Sequence, residues 1–118
     1  MEGLSVDDVK QICPHYHKAI ELVGKRWTGG VIRVLMDGPR RFGELLEAVP
    51  GLHDRLLSER LKELETEGVV HRRVYPETPV RIEYELTPKG RDLDKVVTEM
   101  QRWADRWIAG SVKSGHRR

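Results

Sequence analysis

At Gly68 the hydrophobic period of the chain changes. Before it, Leu57, Leu61 and Leu64 recur at helical spacing and make the narrow apolar stripe of an α-helix over about 54–67. After it, residues 69–75 and 80–86 alternate β-branched or aromatic side chains with polar ones, the period of two strands. Pro76-Glu77-Thr78-Pro79 lies between them as a hairpin tip stiffened by two prolines. A helix stopped by glycine and followed at once by a hairpin leaves few architectures open to a chain of 118 residues, which is the size of one domain.

The segments upstream read as helices. Ser5-Val6-Asp7-Asp8 has the spacing of a capping box, so a short helical arm is expected to about Gln11. Cys13-Pro14 opens a helix that Gly24 closes, with Ala19, Ile20, Leu22 and Val23 apolar. A second helix is expected over 27–37, with Trp27, Val31, Val34 and Leu35 on one side, until Gly38-Pro39 breaks it. A short helix over about 41–49 and the tight turn Pro50-Gly51 lead into the helix at 54. After the hairpin, Thr87-Pro88 caps a last, continuous helix, and residues 111–118 form a basic tail.

Short helix, tight turn and longer helix form a helix-turn-helix, and the hairpin beside it is a wing. The expected fold class is therefore mainly α with a small β-hairpin (α+β). It is a winged helix-turn-helix with N- and C-terminal dimerisation helices, in a single domain. Residues 1–12 would be an arm, 13–90 the core, 91–110 the dimerisation helix and 111–118 the tail. In such a fold the second helix of the pair lies in the DNA major groove with its N-terminal residues at base edges. The outer face of that helix carries His53, Asp54, Arg55, Ser58, Glu59 and Lys62. Arg55 suits a guanine, Glu59 a cytosine amine, and Lys62 a phosphate. Arg60 sits beside the apolar stripe and reads as partly structural. Arg40 and Arg41, before the short helix, suit a phosphate, and Arg72, Arg73 and Arg81 make the wing cationic. The plainer alternative for the wing is that its arginines pair with Glu77, Glu83 and Glu85.

Net charge decides little here, because Lys+Arg 21 against Asp+Glu 19 leaves only +2. Its distribution says more: bases cluster in 24–42 and 71–81, acids in 59–67. No apolar run approaches the ~20 residues of a membrane span. The acidic first residues lack the apolar stretch of a signal peptide, so the expected location is cytoplasmic. One cysteine excludes an internal disulfide framework. No Ser/His/Asp arrangement, Gly-rich phosphate loop or zinc motif stands out, so neither an enzyme nor a cofactor is expected. Of Cys13, His15 and His17, at most Cys13 and His17 converge on a helix, and no metal site is expected within one chain.

Several stretches together carry a resemblance. They are Cys13-Pro14, Trp27-Thr28, residues 38–42, Pro50-Gly51, residues 57–65, Gly68-Val69-Val70, Tyr75-Pro76-Glu77 and residues 79–87. From about Cys13 to Trp107 the chain resembles the HxlR family, prokaryotic winged-helix transcription regulators related to the MarR group. The resemblance implies a homodimer on a pseudo-palindromic operator in double-stranded DNA. It also implies that Cys13 stands where several members carry a redox or electrophile sensor, so an oxidant or small-molecule effector is expected. The plainer alternative for Cys13 is a buried structural cysteine. The chain departs from the family pattern in Gly24-Lys25-Arg26, in Gly29-Gly30 inside a helix, and in His53 at the cap of the recognition helix. Either a backbone packs closely against the glycines, the favoured reading, or they leave space for a ligand, and Asp54 would take over capping, shifting the helix start by one residue.

Dimerisation also has a reason in the residues. Leu93, Val97, Met100, Trp103 and Trp107 form a seam along the last helix, broadened by Val96, Ala104 and Ile108. The competing function is a winged-helix protein-interaction module without DNA binding, which the near-neutral charge allows.

Overall fold

The computed structural model describes residues 10–109. The Ser5–Asp8 capping box and the tail at 111–118 lie outside them. Lys10 and Gln11, where the arm was expected to end as helix, are not helical. The elements run α1 (Pro14–Val23), α2 (Thr28–Leu35), α3 (Phe42–Ala48), α4 (Asp54–Thr66), β1 (Val70–Tyr75), β2 (Arg81–Leu86), α5 (Pro88–Arg91) and α6 (Asp94–Trp103). A π-helical turn follows at Ala104–Ala109.

Cys13 is the N-cap of α1, and Pro14 fills the first helical position, where its missing N–H costs nothing. None of the residues of α1 is buried. Between α1 and α2 the chain reverses through Trp27, which adopts the left-handed conformation at φ 78°. That is unusual for a bulky residue, and it starts α2 one residue later than the sequence suggests. The Trp27 indole lies over the turn between α3 and α4. A side chain on Gly51 would meet Trp27 Cη2 at 2.8 Å, and Gly51 itself has φ 91°, so glycine is required there twice over. The Gly29-Gly30 pair divides. A Cβ on Gly30 would lie 3.3 Å from Val49 Cγ1, so α2 and α3 do pack closely there. Gly29 faces only the Val23 carbonyl oxygen at 3.8 Å, and close packing does not account for it.

α3 begins where the Glu44 carboxylate accepts the Arg41 N–H at 2.8 Å. α4 begins at Asp54 with His53 as its N-cap and no side-chain cap bond. Asp54 does not take over capping, and the helix start is not displaced. Leu57, Leu61 and Leu64 are buried on one side of α4. They join Val31, Ile32, Leu35, Leu45, Val49, Leu52, Val69, Val70 and Leu86 in a hydrophobic cluster. Each such side chain, fully buried, is worth about 1.5–3 kcal/mol.

Gly68, at φ 76°, turns the chain into the antiparallel hairpin, whose register runs from Val70↔Leu86 to Tyr75↔Arg81. The loop before α3 adds a bridge to its edge: Arg40 N–H donates to the Tyr84 carbonyl at 2.9 Å and Tyr84 N–H to that of Arg40 at 2.8 Å. The last helix is not continuous. The Thr87 hydroxyl accepts the Gly90 N–H and starts α5. Asp92 and Leu93 then form a turn, with Leu93 N–H on the Gly90 carbonyl at 3.1 Å. Just before this turn α5 lies against the hairpin, so close that a Cβ on Gly90 would sit 2.2 Å from the Val69 carbonyl oxygen. The turn re-aims α6 so that Leu93 and Val97 pack on the core.

Candidate nucleic-acid interface

The buried leucine row of α4 leaves the opposite face to solvent. His53, Asp54, Arg55, Ser58, Glu59 and Lys62 are all exposed. The Arg55 side chain is 93% accessible, and its nearest charged partner is Glu59 at 3.7 Å, one helical turn on. A solvated pair of this kind is worth only a few tenths of a kcal/mol, so Arg55 can exchange it for a guanine edge at little cost. Lys62 lies toward α1, beside a groove it lines with Lys18, Lys25 and Glu63. Arg60 belongs to the frame. Its Nε donates to the Arg26 carbonyl at 3.0 Å, a terminal nitrogen reaches Glu63 at 3.4 Å, and its side chain is only 15% accessible.

Arg40 and Arg41 stand at the entrance to α3. Arg41 is exposed, and the Arg40 guanidinium donates to the Pro39 carbonyl at 2.9 Å, a neutral partner. The three wing arginines differ. Arg73 is bonded to Glu85. Arg81 is held by two carboxylates, Glu77 at 3.0 Å and Glu83 at 2.7 Å, and its guanidinium lies 3.7 Å from the centre of the Tyr75 ring. These bonds hold Arg81 above its ordinary range, while the bond from Arg81 holds the Glu77 carboxyl below 4.5. Arg72 is exposed and enters no ion pair among the described residues. For Arg73 and Arg81 the plainer alternative, pairing with the wing glutamates, is the arrangement found.

The expected seam of the last helix also divides. Leu93 and Val97 pack against the chain's own core, while Met100, Trp103 and Trp107 remain exposed, the tryptophans at 56% and 60%. The π-helical turn that begins at Ala104 shifts the phase between the two tryptophans. A second apolar row, not singled out as a surface in the sequence, lies at Ile12, Tyr16 and Ile20, all exposed. Its signal was the regular four-residue spacing leading into and along α1. Cys13 adjoins this row and is exposed, which excludes a buried structural cysteine within the single chain. One turn on, His17 pairs with Glu21 at 3.3 Å.

The arrangement is that of a short helix, a turn and an exposed helix flanked by a hairpin. The sequence model of the HxlR-like helix-turn-helix family matches residues 22–111. The chain belongs to this family. Among HxlR relatives, the Bacillus subtilis regulator YodB is 52% identical over 96 residues, covering 81% of this chain and 86% of YodB. The B. subtilis protein YvaP, an uncharacterised helix-turn-helix regulator, is 51% identical over 98 residues, covering 83% of this chain and 91% of YvaP. The structure of reduced YodB superposes with a TM-score of 0.73 over 82% of this chain and 95% of that one. The redox regulator HypR in its oxidised form superposes with a TM-score of 0.75 at 36% identity, over 80% of this chain and 96% of that one. Among the described residues, no helix is long and apolar enough to cross a membrane.

Proposed function

We propose that this HxlR-family chain is a homodimeric, sequence-specific DNA-binding transcription regulator whose affinity for its operator changes with thiol chemistry at Cys13. The observation that carries the DNA-binding reading is the first half of α4. Its Arg55, Ser58 and Glu59 stand exposed, Arg55 and Glu59 joined only by a loose pair at 3.7 Å, on a helix anchored beneath by Leu57 and Leu61. A recognition helix needs that combination, with side chains able to reach base edges on a support that does not move. One such helix offers few contacts, so two half-sites on a pseudo-palindromic operator supply the rest.

The exposed apolar rows support the dimer. Met100, Trp103 and Trp107 are exposed, as are Ile12, Tyr16 and Ile20, and in the proposed dimer the first row of one copy would cover the second row of the other. Cys13 lies at the edge of that second row. Support for the sensing role comes from its exposure, its place at the α1 N-cap, and relatives solved as reduced, diamide-treated and quinone-bound YodB. Because the chain has one cysteine, any disulfide it forms joins it to a second copy or to a small thiol. In that reaction two thiols lose two hydrogens and the N=N bond of diamide gains them. A quinone would instead add the thiolate to its ring. Work of this kind belongs in the cytoplasm, where thiols stay reduced until challenged.

The test is fluorescence anisotropy on DNA from immediately upstream of the protein's own gene, with scrambled DNA as control. Reduced protein, diamide-treated protein and Cys13→Ser are titrated in parallel. The expected result is specific binding that changes with diamide only when Cys13 is present. A diamide response that survives in Cys13→Ser overturns the sensor. Absence of salt-sensitive binding to both DNAs would favour a protein-interaction module, the reading toward which the self-paired wing arginines lean.

A further inference from the structure

The hairpin register sorts the wing side chains onto two faces, since directly paired residues point to the same side of a sheet. One face carries His71, Arg73 and Tyr75 opposite Glu85, Glu83 and Arg81. Here Glu77, Glu83 and Glu85 hold the guanidinium groups of Arg73 and Arg81. Three carboxylates against two guanidinium groups leave this face acidic, and Arg81 has carboxylates on two of its edges and an aromatic ring on its plane. Three of its five N–H groups are already given to carboxylates, so a phosphate would have to compete with both glutamates.

The other face carries Val70, Arg72 and Val74 opposite Leu86, Tyr84 and Ile82. Val70 and Leu86 are buried, so this face starts on the core and emerges from it at Arg72 and Tyr84. On the far side of Tyr84 the Arg40 bridge extends the ladder. Arg72, Tyr84 and Arg40 are therefore consecutive positions across the sheet, an arginine on each side of a tyrosine. With strands about 4.8 Å apart, the outer two backbones are about 10 Å apart. Among the described residues neither arginine is neutralised: Arg72 enters no ion pair, and the Arg40 guanidinium bonds to a carbonyl. The row also adjoins exposed Arg41 at the start of α3.

We propose that Arg40, Tyr84 and Arg72 form one row that grips the sugar-phosphate backbone of duplex DNA, and that Arg73 and Arg81 are positioning residues that shape the wing without touching DNA. The proposal rests on the DNA-binding reading above. Arg81 closes the hairpin tip by joining the last registered pair, Tyr75 and Arg81, to Glu77 in the turn.

The test is the salt dependence of binding by the full-length protein, on upstream and scrambled duplexes, across a KCl series. Each phosphate contact contributes about 0.9 to the slope of log affinity against log salt. Arg72→Ala and Arg40→Ala are each expected to flatten the slope by about one unit per subunit and to weaken both duplexes alike. Tyr84→Phe is expected to weaken both duplexes a few-fold with the slope unchanged, as loss of a neutral hydrogen bond does. Arg81→Ala is expected to leave the slope unchanged, with Arg81→Lys as the variant that keeps the charge. Glu77→Gln with Glu83→Gln releases Arg81, and is expected to steepen the slope and tighten binding to scrambled DNA. If Arg81→Ala flattens the slope and Arg72→Ala does not, the assignment is overturned while the DNA-binding reading stands. If the unaltered protein shows no salt-sensitive binding, both fall.

Discussion

Arg55 and Arg81 are both arginines on surface elements, yet their surroundings give them opposite tasks. Arg55 has one loose partner at 3.7 Å and is almost wholly in water. Arg55→Ala is expected to cost about 1–3 kcal/mol on the operator and much less on scrambled DNA. Equal losses on both in a competition titration would remove it from base readout. Arg81 is fixed by Glu77 and Glu83, and the bond it makes holds the Glu77 carboxyl below its ordinary 4.5. A carboxyl lowered in the folded state adds stability that is complete above its unfolded value and is lost as pH falls through the folded one. Urea titrations of the unaltered protein and Glu77→Gln are therefore expected to differ above pH 4.5 and to converge below it. A difference that persists in acid would mean that charge is not what Glu77 contributes. The residue types and spacing made both roles conceivable from sequence. What separates them is the geometry of the hairpin tip: the turn brings Glu77 back to Arg81, and Glu83, two residues on along the same strand, shares its face.

At the level of elements, α4 and the hairpin were legible because their signals are local. The leucine spacing, Gly68 and the alternation in 69–86 each act within a few residues. Leu61 is buried in the middle of the α4 row, and Leu61→Ala is expected to destabilise the fold by about 2–5 kcal/mol in a denaturant melt. A loss under 1 kcal/mol would mean that the row is not the support of the recognition helix. The last helix was not legible in the same way. Its apolar positions are periodic across the whole stretch, but the chain breaks at Asp92 and Leu93, directly after Gly90 packs against the Val69 carbonyl, 21 residues away in sequence. The left-handed Trp27 is similar, since its reason is the turn at Gly51 beneath its indole.

For the molecule as a whole, the unburied apolar surface on its first and last helical segments is the strongest constraint on assembly. Trp103 and Trp107 on the last segment, and Ile12, Tyr16 and Ile20 leading into and along α1, are costly to leave in water on so small a body. Trp103→Ala with Trp107→Ala is expected to give monomers by light scattering while the core keeps its helical signal, because neither tryptophan belongs to that core. An intact dimer would place the interface elsewhere. The sequence alone determined the kind and order of the elements, the buried side of the recognition helix and the family, because periodicity, glycine and proline act over short spans. Tertiary structure alone decided which cations remain free, where the last helix turns and which part of its seam is spent on the chain's own core. The turn and the seam depend on which distant residues become neighbours, and the free cations on which carboxylates the hairpin tip and strand faces bring beside a guanidinium.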